Sequence, residues 1–193
     1  DLVFTAPMLI DDYDLISTPI NYISYQVRST DGKKHDVQFL LTADATQAIN
    51  KSNQPTLTSR GFEEGIAYVK AGTVEQPILA KKGDGICIDW GYFYMPAING
   101  NVSMGQPAKM LEAFVQTGKF PRPDRAQMQG EKGRSARRGI RAENVAEMPA
   151  MAYVHNFGQV EQASSFTMLG YDEVQDIEYM YERYKGYWAH GGQ

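Results

Sequence analysis

The stretch GDGICIDWGYFYMP, residues 83–96, sets a single acid, Asp89, inside an apolar and aromatic run. Read as a strand, it puts Ile86, Ile88, Trp90, Tyr92 and Tyr94 on one face, and Cys87, Asp89, Gly91, Phe93 and Met95 on the other. A carboxylate among such neighbours must be paired or hydrogen-bonded, because burying it bare costs several kcal/mol. Sites of that kind raise a carboxyl pKa and can supply a general acid, which makes Asp89 the candidate catalytic residue. A glycosidase reaction, however, needs a second carboxylate at a set distance. No carboxylate or histidine stands at a telling spacing, so the residues favour a structural, hydrogen-bonded Asp89.

Other chemistry-bearing residues carry weaker patterns. Asp11, Asp12 and Asp14 in DDYD are clustered carboxylates of a kind that can hold Ca²⁺. They lack the fixed glycine and closing Glu of a calcium loop, and a solvated acidic turn outweighs a metal site. His35, His155 and His190 are scattered, without HxH or HxxxH spacing. His155 alternates with Tyr153 and Phe157, as a satisfied strand residue would. Cys87, flanked by Ile86 and Ile88, reads as buried and inert, and no GxSxG elbow or phosphate loop is present. The aromatics Trp90, Tyr92, Tyr94, Tyr181, Tyr184, Tyr187 and Trp188 could form a sugar platform, although core packing accounts for most of them equally well. Asn50-Lys51-Ser52 and Asn101-Val102-Ser103 have the form of glycosylation sequons.

Charge is uneven. Residues 119–148 hold eight basic residues, Arg137 and Arg138 among them, against four acids, a net of +4 in a chain of −4. Such a segment could meet an acidic surface. It lacks interleaved aromatics, which argues against single-stranded nucleic acid, and the negative total makes nucleic acid no default partner. A solvated loop, or one docked on another domain, outweighs a polyanion site; Arg137, Arg138, Trp90, Tyr92 and Trp188 are then the candidate ligand or domain contacts.

The 193 residues suit one domain with a sizeable core. One cysteine rules out an internal disulfide, and no apolar run reaches the roughly 20 residues of a membrane helix. The 12 tyrosines, 18 glycines and 9 prolines fit a β-rich fold with many turns. Residues 1–19 read as an extended lead-in packing Phe4, Leu9, Ile10 and Leu15 on a core. Residues 20–44 read as two strands, Ile23/Tyr25/Val27 and Val37/Phe39/Leu41, joined as a hairpin at Asp31-Gly32. Residues 45–61 and 98–106 read as loops, IAYVKAG as a strand, and GDGICIDWGYFYMP as the next. PAKMLEAFVQTGKFP is the best helix, with Pro107 in its first turn, Gly118 at its end, and an apolar stripe of Met110, Leu111, Phe114 and Val115. AMAYVHNF and SSFTMLGYDE read as strands, and the tail VQDIEYMYERYKGYW fits helix or strand. The expected fold is mainly β: an antiparallel β-sandwich of two packed sheets with one or two short helices and a long polar loop.

Five separated stretches, in order, resemble the β-domain of the large secreted glutaminase A proteins of fungi and Bacteroides-type bacteria. They are FTAPMLIDDYDLISTPINYISYQVRSTDGKKHDVQFLLTAD, EQPILAKKGDGICIDWGYFYMP, MLEAFVQTGKFP, YVHNFGQV, and LGYDEVQDIEYM with YW. The segment 128–141, MQGEKGRSARRGIR, is more basic and glycine-rich than that pattern. The resemblance implies an accessory, non-catalytic β-sandwich domain of a secreted or periplasmic hydrolase that turns glutamine into glutamate and ammonia without a cofactor. Its partner would be a C-terminal helical toroid domain of the same parent protein, and the fragment alone would be a monomer. The alternative is a carbohydrate-binding or glycoside-hydrolase-associated β-sandwich module. The resemblance carries over no catalytic residue.

Overall fold

The computed structural model describes residues 1–121, 128–130 and 138–189. A large antiparallel sheet takes β1 (Leu2–Thr5), β2 (Ile20–Arg28), β4 (Thr56–Glu63), β5 (Ile66–Thr73), β6 (Tyr92–Pro96), β8 (Met128–Gly130), β9 (Arg138–Ala142) and β11 (Gln162–Asp172), in the order β1-β2-β11-β6-β5-β4-β9-β8. A second sheet has the order β3 (His35–Ala43), β10 (Ala150–Val160) and β7 (Asn101–Gly105), and β12 (Ile177–Tyr179) pairs with β13 (Glu182–Tyr184) as a separate ribbon. Two helices, α1 (Tyr13–Ser17) and α2 (Pro107–Thr117), complete the regular structure with three 3-10 turns. The expectation of two packed antiparallel sheets with short helices holds.

Alternation decides which side chains meet between the sheets. Tyr25, Val69, Ala71, Phe93, Met95, Ile140 and Ala142 point inward from the large sheet, and Met104, Met151 and Tyr153 from the small one. The intervening residues of β10, Ala150 and Ala152, face the other way and take Met110 of α2, with Leu40 and Phe120. The helix therefore forms a third layer on the small sheet. Only Met110 of the expected stripe is buried; Leu111 and Val115 are exposed, because two alanines give the helix a narrow floor. Gly118 ends it in the left-handed conformation, φ 65°, its amide donating to Phe114 O at 2.7 Å.

Asp31-Gly32 does not close a hairpin. β2 pairs with β11 and β3 with β10, so residues 29–34 carry the chain from one sheet to the other. The β10–β11 connection at Glu161 crosses beside it, and Ser29 N donates to Glu161 O at 2.7 Å. Asp31 instead receives Ser29, His35 and Lys33, which orders the crossing and holds its carboxyl well below the usual range.

Tyr25 fastens the two sheets. Its ring stacks on Phe39 at 3.9 Å and 11°, edge-on to Phe157 and His155. A bulge in β10 between Asn156 and Gly158 turns Phe157 toward it. Tyr25 OH lies 2.9 Å from Tyr153 OH and 2.8 Å from His155 Nδ1, and Tyr153 OH donates to Ile98 O at 2.6 Å. One proton order satisfies all of them: Nδ1–H to Tyr25 O, Tyr25 O–H to Tyr153 O, Tyr153 O–H to Ile98 O.

Several other sequence readings are overturned. Strand β6 begins only at Tyr92, since Gly91 sits at φ 79° and breaks any strand running through residues 83–91. Cys87 is accordingly exposed, not buried. Phe4, Leu9 and Ile10 are exposed rather than packed on a core. Residues read as loops form β4 and β7, and part of the basic segment forms β8 and β9, with Ile140 and Ala142 in the core. Of the two readings left open for the tail, the strand holds: Ile177–Tyr179 pairs with Glu182–Tyr184.

Candidate functional site

Residues 74–91 run outside regular structure between β5 and β6, and side chains replace the missing strand hydrogen bonds. Gln76 donates from Nε2 to Gly91 O at 3.0 Å and accepts Gly91 N at 2.7 Å. Thr73 Oγ1 donates to Asp89 O at 2.6 Å. Asp89 itself is 1 % exposed. Its Oδ2 accepts Gln54 Nε2 at 2.7 Å and the Lys81 ammonium at 2.5 Å. Gln54 Oε1 in turn accepts Asn50 N and Lys51 N, and Asn50 Oδ1 accepts Cys87 N. Asp89 thus ends a chain of hydrogen bonds that ties residues 50–54, Lys81 and 87–91 together. Its acceptor capacity serves that tie, with neither a histidine nor a second carboxylate among its hydrogen-bond partners.

Beside it, β11 leaves the sheet through a crowded acidic bend. Gly91 admits no side chain, because a Cβ there would collide with Asp172 O and Glu173. Trp90 Nε1 donates to Gln175 O at 3.0 Å, and Tyr171 OH donates to Trp90 O at 2.6 Å. Val174 stands at φ 65°, a strained position for a β-branched residue. Burial pushes the Glu173 carboxyl up, and the charges of Asp176 and Asp172 push it further. Burial also raises Asp176, opposed by the Gly186 amide and assisted by Asp172. Burial, with Glu173, Asp89 and Asp172 nearby, holds the Tyr171 phenol well above its usual value. The bend was missed from sequence; the run Asp172-Glu173 followed by Asp176 was its visible trace.

The other candidates fall in separate places. Asp12 is the N-cap of α1, accepting Leu15 N at 2.9 Å; Asp14 lies in its first turn, and Asp11 is exposed. Among the described residues no group of three His, Cys, Asp or Glu side chains could hold a metal. Arg137 and His190 lie outside the described residues, as does the side chain of Arg138. Trp90 is buried, whereas Tyr92, Tyr94 and Trp188 reach the outer side of the large sheet. Tyr94 and Trp188 meet Tyr68 around one pocket there.

The family model for a domain of unknown function, DUF5127, matches residues 1–193. The chain belongs to that family. No curated protein sequence matches it significantly. Family membership adds no catalytic assignment to the geometry. Among the described residues no helix is long and apolar enough to cross a membrane.

A further feature of this DUF5127 domain lies away from Asp89. The β12–β13 ribbon turns through Met180-Tyr181, at φ 48° and 69°. Tyr181 is 100 % exposed, and Tyr179 and Met180 are exposed beside it. Tyr13 of α1 meets Tyr187 edge-on at 6.3 Å, which joins this C-terminal region to the exposed Leu9 and Ile10 region.

Two predictions follow from the anchoring network and the acidic bend. Asp89→Asn lowers unfolding free energy by about 2–3 kcal/mol and Lys81→Met by about 1–2 kcal/mol, because each leaves the other group without its ionic partner. Urea denaturation of both and of the double variant gives a coupling of roughly 1 kcal/mol; additive losses would show that the pair does not act as a unit. Glu173 supplies the second. Its folded pKa lies above the unfolded 4.5, so its charged form opposes folding at neutral pH. That opposition fades as pH falls through the raised folded value. Glu173→Gln therefore raises the melting temperature at pH 7–8, and the gain shrinks toward about pH 4. His155, lowered by burial, acts with the opposite sign, losing stability as pH falls below 6.5. The comparison is between variant and parent at each pH; a gain that does not change with pH refutes the assignment.

Proposed function

We propose that this domain is the accessory, non-catalytic β-domain of a glutaminase-like secreted or periplasmic hydrolase, and that it packs on a helical domain of the same parent protein. The glutaminase and secretion parts rest on the sequence resemblance. The docking part rests on one observation, the Met180-Tyr181 turn. A two-residue ribbon turn with positive φ at both central positions favours Asn-Gly. Met and Tyr there cost roughly 1–2 kcal/mol per residue in the left-handed region. Their side chains gain nothing in water, and an exposed apolar patch of this kind marks an interaction surface. A turn that is strained and greasy together fits one whose side chains a neighbour buries. The pairing of Asp89 Oδ2 with Lys81 and Gln54 supports the non-catalytic reading.

Ammonia release from glutamine is the direct assay. The 193-residue chain alone shows no turnover above buffer, while the parent protein with its helical domain does; sustained turnover by the isolated chain overturns the accessory reading.

The turn gives an independent test. Replacing Met180-Tyr181 with Asn-Gly raises the melting temperature of the isolated chain by several degrees, as about 2–4 kcal/mol of strain over the two residues is relieved. The same change in the parent protein loosens the domain contact, seen as faster hydrogen exchange in the ribbon. Unchanged exchange there places the docking surface elsewhere.

A further inference from the structure

We propose that the pocket on the outer face of the large sheet, walled by Tyr68, Tyr94 and Trp188, is a binding site for one residue of a neutral pyranose sugar. The inference is independent of the accessory reading and stands or falls by itself.

The walls are preorganised. Tyr68 lies flat over Gly61, where any Cβ would collide with its ring. It meets Tyr94 at 5.3 Å and 58°. Trp188, 37 % exposed, closes the opposite side from the 3-10 turn at Tyr187–Ala189. The space holds about 280 Å³, at the small end of ligand sites, which begin at roughly 300 Å³. That suits one or two rings rather than a long chain.

Charge selects the ligand class. Lys70, 5 % exposed, stands behind the Tyr94 wall. Its ammonium donates to Tyr94 OH at 3.1 Å and sits 3.8 Å over the Tyr92 ring. This ammonium, behind the wall, offsets part of the pull that the pocket's carboxylates exert on a cation. Glu63 and Asp172 line the same pocket, and two carboxylates repel an anion. What remains is a neutral molecule with an apolar face for the rings and hydroxyl donors for the carboxylates. A pyranose has both: its axial C–H groups form one flat apolar face, and its equatorial hydroxyls project toward the rim.

The test uses the full 193-residue chain, with maltose, cellobiose and lactose as probes and tetramethylammonium as the competing cation. Saturation-transfer NMR and calorimetric titration show at least one disaccharide binding saturably, with Kd in the millimolar range. Trp188→Ala weakens that binding about tenfold or more, and Glu63→Gln, at an exposed position, weakens it as well with the melting temperature unchanged. Absence of saturable binding for all three sugars at tens of millimolar overturns the proposal. So does sugar binding that Trp188→Ala leaves intact, or tighter binding of tetramethylammonium than of any sugar.

Discussion

The fold depends on two neighbouring strands passing together from one sheet to the other, and on Tyr25, which closes the space they enclose. Where β2 gives way to β3 and β10 to β11, each chain changes sheets while keeping the same neighbour. The turn that results is a corner, and a corner leaves a gap between sheets that side chains must fill. Tyr25 fills it from the large sheet, stacked on Phe39 and met edge-on by Phe157, both from the small one. Its hydroxyl cannot be left unpaired at that depth without costing about 1–3 kcal/mol. The chain from His155 through Tyr25 and Tyr153 to Ile98 O resolves this with no leftover donor, and burial lowers the His155 pKa.

A second buried polar network answers a different need. Residues 74–91 make no ladder of their own, so their polar backbone groups must find partners elsewhere. Gln76 imitates a strand edge toward Gly91, Thr73 takes the carbonyl of Asp89, and the Asp89 carboxylate draws in Lys81 and Gln54. An acid in an apolar stretch is as expected of a loop anchor as of a general acid. The partners separate the two roles: a general acid needs a carboxyl able to hold and release a proton toward a substrate, whereas this one is occupied by an ammonium and an amide.

The sequence shows the elements with strong periodicity and misplaces those defined by distant partners. Helix α2 was legible from Pro107 to Gly118, and β10 and β11 from their alternation. The Asp-Gly hairpin was misread because a turn signal states where the chain reverses and not which strands it pairs. Residues 83–91 imitate a strand in composition, yet Gly83, Gly85 and Gly91 all have positive φ, a backbone choice that apolar neighbours conceal. Strands β4 and β9 hid in polar text because Thr56 and Thr58 face the core with Ile140 and Ala142. Of the candidate contacts, Trp90, Tyr92 and Trp188 were visible as an aromatic group. Their division into one buried indole, one ring under Lys70 and one pocket wall depends on the sheet they sit on, as do Tyr68, Lys70 and Glu63, which carried no local signal.

Among the described residues Thr56 and Thr58 keep buried hydroxyls without a partner, whereas Asp89 is paired with Lys81 and Gln54, and Tyr25 with Tyr153 and His155, and the exposed surface carries aromatic and aliphatic side chains. The outer side of the large sheet illustrates the point. Gly61 and Gly72 are bare positions on β4 and β5, and Tyr68 and Tyr92 lie across them, covering backbone that would otherwise meet water. Tyr92 and Tyr94 meet edge-on at 6.4 Å, and the Lys70 ammonium lies over both rings. A sheet face that only needed to be soluble would carry polar side chains at these positions. A face of rigid rings over glycines gives up that solubility for fixed apolar surface beside the carboxylates of Glu63 and Asp172.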